Sequence, residues 1–181
     1  MLRGAPADMA MITLEVLFFG KADIYINGSI QAFDYAKQKA LLLMLLESGS
    51  FLRSELASTL WGDKEKSVAL QNLRNALASL KKILPAGMLK TTRTHIALSE
   101  SCRILSDLSN LKDDTPEDPM GSPENLFLEN PILNNCPSFD VWVEGRQLYY
   151  QNQRIMAGGK KGRGFHGNQR SAGNKSEPSS L

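Results

Sequence analysis

The chain has 181 residues, a formal net charge of +2 at pH 7 and 42% hydrophobic residues. This length suits one domain with an appendage, and the composition supports a single packed core. No apolar run reaches the roughly 18 residues of a membrane span, and no segment has the pattern of a secretory signal. The sequence therefore excludes a transmembrane protein and predicts a cytoplasmic one.

Charge is unevenly distributed along the chain. The segment from Arg53 to Arg93 holds eight Lys and Arg against three acidic residues, whereas residues 107–144 hold nine acidic residues against one Lys. A basic segment followed by an acidic one predicts a module that faces a polyanion and a second region with a different role.

The residue types that carry out chemistry form no recognisable site in the sequence. The two Cys and two His lack metal-ligand spacing, and no nucleophile, base and orienting group fall together. The sequence therefore predicts a protein that is not an enzyme, with no catalytic residue, metal ligand or cofactor.

The first third of the chain predicts a small sheet and two helices. Strands are predicted over residues 12–19, 22–26 and 29–33. Asn27-Gly28 is a strong signal for a hairpin turn between the last two. A largely apolar helix over residues 35–47 follows, with Asp34 as its N-cap, and Ser54 is predicted to cap a shorter helix that ends at Gly62.

The third helix has the most informative pattern. When successive residues are placed about 100° apart, five leucines share one side, which predicts the core face: Leu70, Leu73, Leu77, Leu80 and Leu84. Amides, small residues and cations occupy the opposite side, with Arg74 nearer the leucine stripe. Pro85 and Gly87 end the helix, and residues 88–92 and 96–99 predict a hairpin around Arg93.

This order of elements is typical of an α+β winged helix-turn-helix, with an N-terminal antiparallel sheet, three helices and a C-terminal β-hairpin wing over residues 12–111. The third helix of that architecture enters the major groove of DNA. Amides can pair with adenine edges, and Arg or Lys can reach guanine or phosphate. The predicted DNA-binding residues are Gln71, Asn72, Arg74, Asn75, Ser79, Lys81, Lys82, Lys64, Lys66, Lys90 and Arg93.

Within this set, Gln71, Asn75 and Ser79 are the predicted base-edge contacts, and the lysines and Arg93 are the predicted phosphate contacts. The alternative is a solvated helix face without a ligand, because surface helices are ordinarily polar on one side.

The remainder of the chain predicts less order. Residues 112–138 hold five prolines and many acids and predict a linker with short ordered pieces. One partial helical segment is predicted over residues 139–156. Residues 157–181 are rich in Gly, Lys, Arg and Ser and predict a disordered basic tail.

The segment over residues 14–111 resembles the DNA-binding domain of SARP-type bacterial transcriptional activators, whose winged helix is similar to that of OmpR-type response regulators. The stretches that carry the resemblance are Leu14–Gly20, Lys37–Leu43, Leu52–Leu56, Leu60–Asp63, Asn72–Leu77 and Leu80–Lys82. The resemblance implies that residues 71–82 are the recognition helix and residues 88–99 the wing. Residues 127–150 resemble the start of a bacterial transcriptional activator domain, which is built of TPR-like helices.

The resemblance implies a sequence-specific transcriptional regulator, most simply an activator, that binds double-stranded DNA. Binding at direct repeats or paired half-sites would allow a homodimer on DNA, and activation would come from placement beside RNA polymerase. The second hypothesis is a protein-interaction adaptor on a winged-helix scaffold, because a fold does not dictate a function.

Overall fold

The computed structural model describes residues 13–99, 103–111, 126–129 and 132–161. The helices are α1 (Ala36–Ser48), α2 (Arg53–Trp61), α3 (Lys66–Ile83) and α4 (Pro137–Lys161), with a 3₁₀ helix at Asp107–Leu111. The strands are β1 (Thr13–Val16), β2 (Ile24–Ile26), β3 (Ser29–Ile30), β4 (Ser50–Leu52), β5 (Leu89–Thr91), β6 (His95–Leu98) and β7 (Arg103–Ser106). Over these residues the structure is α+β, as predicted.

The first sheet has the strand order β3-β2-β1-β7. Its first three strands form the predicted antiparallel meander, although each is shorter than predicted. Asn27 and Gly28 make the turn with φ values of 49° and 79°, and positive φ at both positions is what a tight hairpin turn requires. β7 extends the sheet by pairing parallel to β1. The first sheet therefore includes residues beyond residue 100.

The second sheet has the order β4-β6-β5. The hairpin predicted around Arg93 forms from β5 and β6, which pair antiparallel with Thr91 opposite Ile96. The short strand β4, which the sequence did not predict, pairs Phe51 with Ile96 from the other side. The hairpin is thereby attached to the segment that leads into α2.

The core surrounds α1. Its residues from Ala40 to Leu45 are fully buried, because α3, α2 and both β4 and β6 pack around this helix. The two predicted caps are wrong. Tyr35 is the N-cap of α1 and makes no side-chain cap bond, and α2 begins at Arg53, ahead of Ser54.

Part of the predicted linker belongs to the core. The Phe127 ring stacks on Phe18 with centroids 5.4 Å apart, and Phe127 forms an antiparallel bridge with Phe19. Leu133 and Cys136 are also buried. These residues are ordered pieces of the predicted linker that also belong to the core, since Phe127 packs on Phe18 and Phe19 and the Cys136 thiol lies 3.6 Å from the Leu60 carbonyl oxygen of α2. Residues 112–125 and 130–131 of that prediction lie outside the described residues.

The last helix is longer than predicted and docks on the core. α4 runs from Pro137 to Lys161, so the prediction of a disordered tail is wrong for residues 157–161, and residues 162–181 lie outside the described residues. Phe139 and Tyr150 are buried, and the Tyr150 hydroxyl donates to the Glu47 carboxylate at 2.8 Å. In the ranges that the structure describes, no helix has both the length and the apolar character needed to cross a bilayer.

Candidate nucleic-acid interface

The side of α3 that faces solvent differs from the one that its leucines predict. Its buried residues are Ala69, Leu73, Ala76, Leu77 and Leu80, and Leu70 is only half-buried. Including the two alanines moves the centre of the buried side by about 40° at about 100° per residue. The reason is that α2 and α1 both pack against α3, and alanine permits close approach on the side of Ala69 and Ala76. The exposed side therefore centres on Gln71.

Three exposed polar side chains form a hydrogen-bonded row on this side. An Arg74 guanidinium nitrogen donates to Gln71 Oε1 at 3.1 Å, and Gln71 Nε2 donates to Asn75 Oδ1 at 3.2 Å. Each of the three is exposed, and α3 contains no acidic residue. The row thus presents amide and guanidinium donors outward with no carboxylate on the same helix.

Ser79 is not part of this row, although the sequence predicted it as a base-edge contact. Its hydroxyl donates to Asp34 Oδ2 at 2.9 Å and accepts from Gln38 Nε2 at 2.9 Å. Gln38 is fully buried, and its Oε1 accepts from the Asp34 backbone N–H at 3.0 Å. Ser79 therefore faces the start of α1, where its hydroxyl links the exposed Asp34 to the buried Gln38. Asn72 is half-buried beside it.

A groove of about 550 Å³ lies beside the exposed row. Its lining residues are Leu52, Arg53, Ser54, Leu70, Arg74, Thr92, Arg93 and Thr94. Arg53 of α2, Arg74 of α3 and Arg93 at the hairpin tip thus line one groove, which we call the arginine groove. The start of α2 lies here also, and the N–H groups at a helix N-terminus favour anions.

Arg53 fixes the hairpin in this arrangement. Its Nε donates to the Thr92 carbonyl oxygen at 2.9 Å, and its backbone N–H donates to the Thr94 carbonyl oxygen at 2.8 Å. The hairpin tip is therefore held against the start of α2. From the sequence, Arg53 could be recognised only as one of the charges of the basic segment. Its position beside Arg93 could not be predicted, because that position depends on the pairing of β4 with β6.

The predicted lysines are distributed over different surfaces. Lys82 is exposed and lies at helical spacing from Gln71 and Asn75, on the same side of α3. Lys81 Nζ is 3.4 Å from Thr91 Oγ1 and so reaches the hairpin. Lys90 precedes Thr91 on β5 and projects from the opposite face of that strand, because successive strand residues alternate.

Lys64 and Lys66 belong to a second groove. This groove of about 570 Å³ runs between α2 and the start of α3, and its lining also includes Glu55 and Trp61. Lys64 is paired with Asp63 at 2.8 Å, and this hydrogen bond lowers the pKa of the Asp63 carboxyl. Lys64 is thus partly neutralised, whereas the arginine groove holds no carboxylate among its lining residues.

The described residues contain no candidate metal centre. In these ranges no three His, Cys, Asp or Glu side chains come close enough to hold a metal ion. His95 lies beside the hairpin tip, with its ring nitrogen 2.9 Å from the Thr94 hydroxyl. The row of Gln71, Arg74 and Asn75 and the adjacent groove with its three arginines are suited to contacting an extended anion.

Comparison with known proteins does not identify the chain. No protein-family model matches the sequence, and no curated protein matches it. The functional conclusion therefore depends on the geometry of the α3 row and the arginine groove.

Proposed function

We propose that the protein is a sequence-specific, double-stranded DNA-binding regulator of transcription with a winged helix-turn-helix domain. In this proposal α2 and α3 form the helix-turn-helix, α3 enters the major groove, and the β5–β6 hairpin is the wing. The observation that carries it is the exposed Gln71–Arg74–Asn75 row next to the groove of Arg53, Arg74 and Arg93.

The row supports readout of base edges. Asn and Gln can each give a bidentate contact to adenine, and Arg can give one to guanine O6 and N7. Because Arg74 and Asn75 are both bonded to Gln71, the row is partly ordered before DNA arrives. Less side-chain freedom is then lost on binding.

The groove supports contact with the phosphate backbone. Guanidinium groups pair with phosphate oxygens in a fork geometry. Arg53 and Arg93 flank the row on one side and Lys82 extends it along α3, so a duplex seated on α3 would meet cations next to the base contacts. These contacts position the protein, whereas the row would read sequence.

Regulation would follow from placement on DNA, without catalysis. A protein bound beside a promoter can recruit RNA polymerase, and this is the activator role that we propose, in the cytoplasm. A protein-interaction adaptor on the same scaffold is the competing function, and it requires no DNA contact.

Selection of bound sequences from a random duplex library, followed by electrophoretic shifts, tests the proposal. We expect enrichment of one motif, and a loss of affinity in Arg74→Ala but not in Lys21→Ala. Lys21 is exposed and lies in the turn before β2, so it is a matched basic control. A library that stays unenriched with the folded protein at moderate salt would contradict the proposal and favour the adaptor.

A further inference from the structure

One face of α4 carries exposed apolar side chains at regular spacing. Val141, Leu148 and Ile155 are exposed by 67%, 60% and 66%, and they follow one another every seven residues. This spacing, about 3.5 residues per turn, is typical of a helix that packs along a second helix. The face lies opposite Phe139 and Tyr150, which bury the other side of α4 against the core.

We propose that two copies of this chain pair through this face of α4, in antiparallel orientation, about a two-fold axis near Leu148. Val141 and Ile155 lie seven residues before and after Leu148. A two-fold axis at Leu148 therefore places Val141 against the partner's Ile155 and Leu148 against the partner's Leu148. Such self-complementarity is what an isologous dimer interface requires.

The polar residues beside the stripe favour the antiparallel orientation. Glu144 and Gln151 are exposed on one edge of it, and the same axis brings Glu144 opposite the partner's Gln151. A carboxylate then meets an amide that can donate to it. A parallel pair in register would instead bring each Glu144 close to the partner's Glu144, which is unfavourable.

Gly145 leaves space in the centre of the stripe. A side chain built there would meet nothing within 4 Å, so no contact within the described chain requires a glycine. In the middle of a helix, glycine costs about 1 kcal/mol relative to alanine. A closely approaching second helix explains that cost, because the partner's Leu148 would fit against Glu144, Gly145 and Gln151 as a knob fits a hole.

The two longest segments outside the described residues that follow the first sheet in the chain have few apolar side chains with which to cover the stripe. Residues 112–125 contain Met120 as their one large apolar side chain, and residues 162–181 contain Phe165 and Leu181. Residues 1–12 do contain Met1, Leu2, Met9, Met11 and Ile12, but they join at Thr13, six residues before Phe19, whose ring contacts Tyr150 on the buried side of α4. A second copy supplies three large apolar side chains at the matching spacing.

The pairing is expected to be weak in free solution. The stripe from Val141 to Ile155 is about 21 Å long at 1.5 Å per residue and, on a helix about 10 Å wide, covers on the order of 200 Å² per copy. A standard interface buries about 800 Å² per partner. We therefore expect reversible dimers that become prominent as concentration rises.

Sedimentation equilibrium of the full chain over a wide concentration range tests the pairing. The wild type should shift from monomer to dimer mass, and Leu148→Glu should weaken the dimer at least tenfold. Ile30→Glu is the matched control, because Ile30 is exposed by 62% on β3, and it should dimerise as the wild type does. A wild type that stays monomeric throughout, or equal dimerisation by the two variants, would overturn the proposal.

Cysteine cross-linking in a Cys102→Ser background tests the orientation. Leu148→Cys should form a disulfide-linked dimer, and a mixture of Val141→Cys with Ile155→Cys should form the mixed species. Val141→Cys alone should not cross-link, and if it does, the antiparallel arrangement is wrong. These measurements use no DNA, so loss of pairing and loss of DNA binding are scored separately.

Discussion

Arg53 Nε lies 2.9 Å from the Thr92 carbonyl oxygen, which joins the first residue of α2 to the strand end that leads into the hairpin tip. The same residue lines the groove that contains Arg74 and Arg93. Arg53 therefore has two roles in the proposed interface. It orients the β5–β6 hairpin, and it adds a positive charge beside α3.

Arg53→Ala should weaken DNA binding and loosen the hairpin together. Loss of the hydrogen bond should cost about 1 kcal/mol of stability in the hairpin, seen as faster amide exchange in β5 and β6. Arg53→Lys keeps the charge but not the planar fork, so it should keep the salt dependence of binding while still loosening the hairpin. Unchanged exchange in both variants would show that Arg53 does not hold the wing.

Substitutions of Asn75 and Lys82 test the proposed division between base readout and phosphate contact. Asn75→Ala should cost about 1 to 3 kcal/mol on the best site and relax preference at one base pair, since it removes the amide that we propose as a base-edge contact. Lys82→Ala should weaken all sequences alike and reduce the salt slope by about one. Binding isotherms on selected and scrambled duplexes at several salt concentrations measure both. The same profile in the two variants would disprove the assignment of roles.

Ser79→Ala should affect stability and leave sequence preference intact. The substitution removes the hydroxyl that links Asp34 to the buried Gln38, and a buried polar group left without its partner costs about 1 to 3 kcal/mol. Urea unfolding measures this loss, and Asn75→Ala is the control, because Asn75 is exposed on the same helix. A changed base preference in Ser79→Ala would mean that Ser79 does face the DNA.

The sequence predicted most elements between residues 12 and 99 because their signals are local. Patterns of a few neighbouring residues are enough to indicate three of these elements, namely the Asn27-Gly28 turn, the apolar helix α1 and the leucine-backed helix α3. The exact outward side of α3 was not predictable in this way. The exposed side of α3 depends on which of its small residues α1 and α2 approach. The sequence around Ala76 does not indicate that this alanine is buried.

Long-range contacts account for the other differences. The bridge between Phe19 and Phe127 and the partnership of Arg53 with the hairpin join segments far apart in the chain. Residues 126–129 and 132–136 form no helix and no named strand, yet Phe127, Leu128, Leu133 and Cys136 are buried. The aromatic side chain of Phe127 was the one local signal that this segment packs on the core.

Phe127→Ala should destabilise the whole described structure. The ring stacks on Phe18 at 5.4 Å and on Tyr150 at 5.0 Å, and it is 1% exposed. Truncating such a buried phenylalanine costs about 3 to 5 kcal/mol, whereas Phe127→Leu should cost less because it retains most of the volume. Thermal unfolding measures both. A loss below about 0.5 kcal/mol in Phe127→Ala, as for a surface site, would mean that the segment does not belong to the core.

The contact between Tyr150 and Glu47 should make stability fall at alkaline pH. Burial, and then the hydrogen bond to the Glu47 carboxylate, raise the pKa of Tyr150 above its ordinary 10.0. The unfolded chain therefore loses this proton near pH 10 while the folded chain keeps it, so the free energy of unfolding decreases as the pH rises above 10.

Tyr150→Phe removes the titrating group. The stability advantage of the wild type over Tyr150→Phe, measured by urea unfolding, should be constant from pH 7 to about 9 and should narrow above pH 10. An advantage that stays constant to pH 11 would show that the Tyr150 hydroxyl titrates alike in both states.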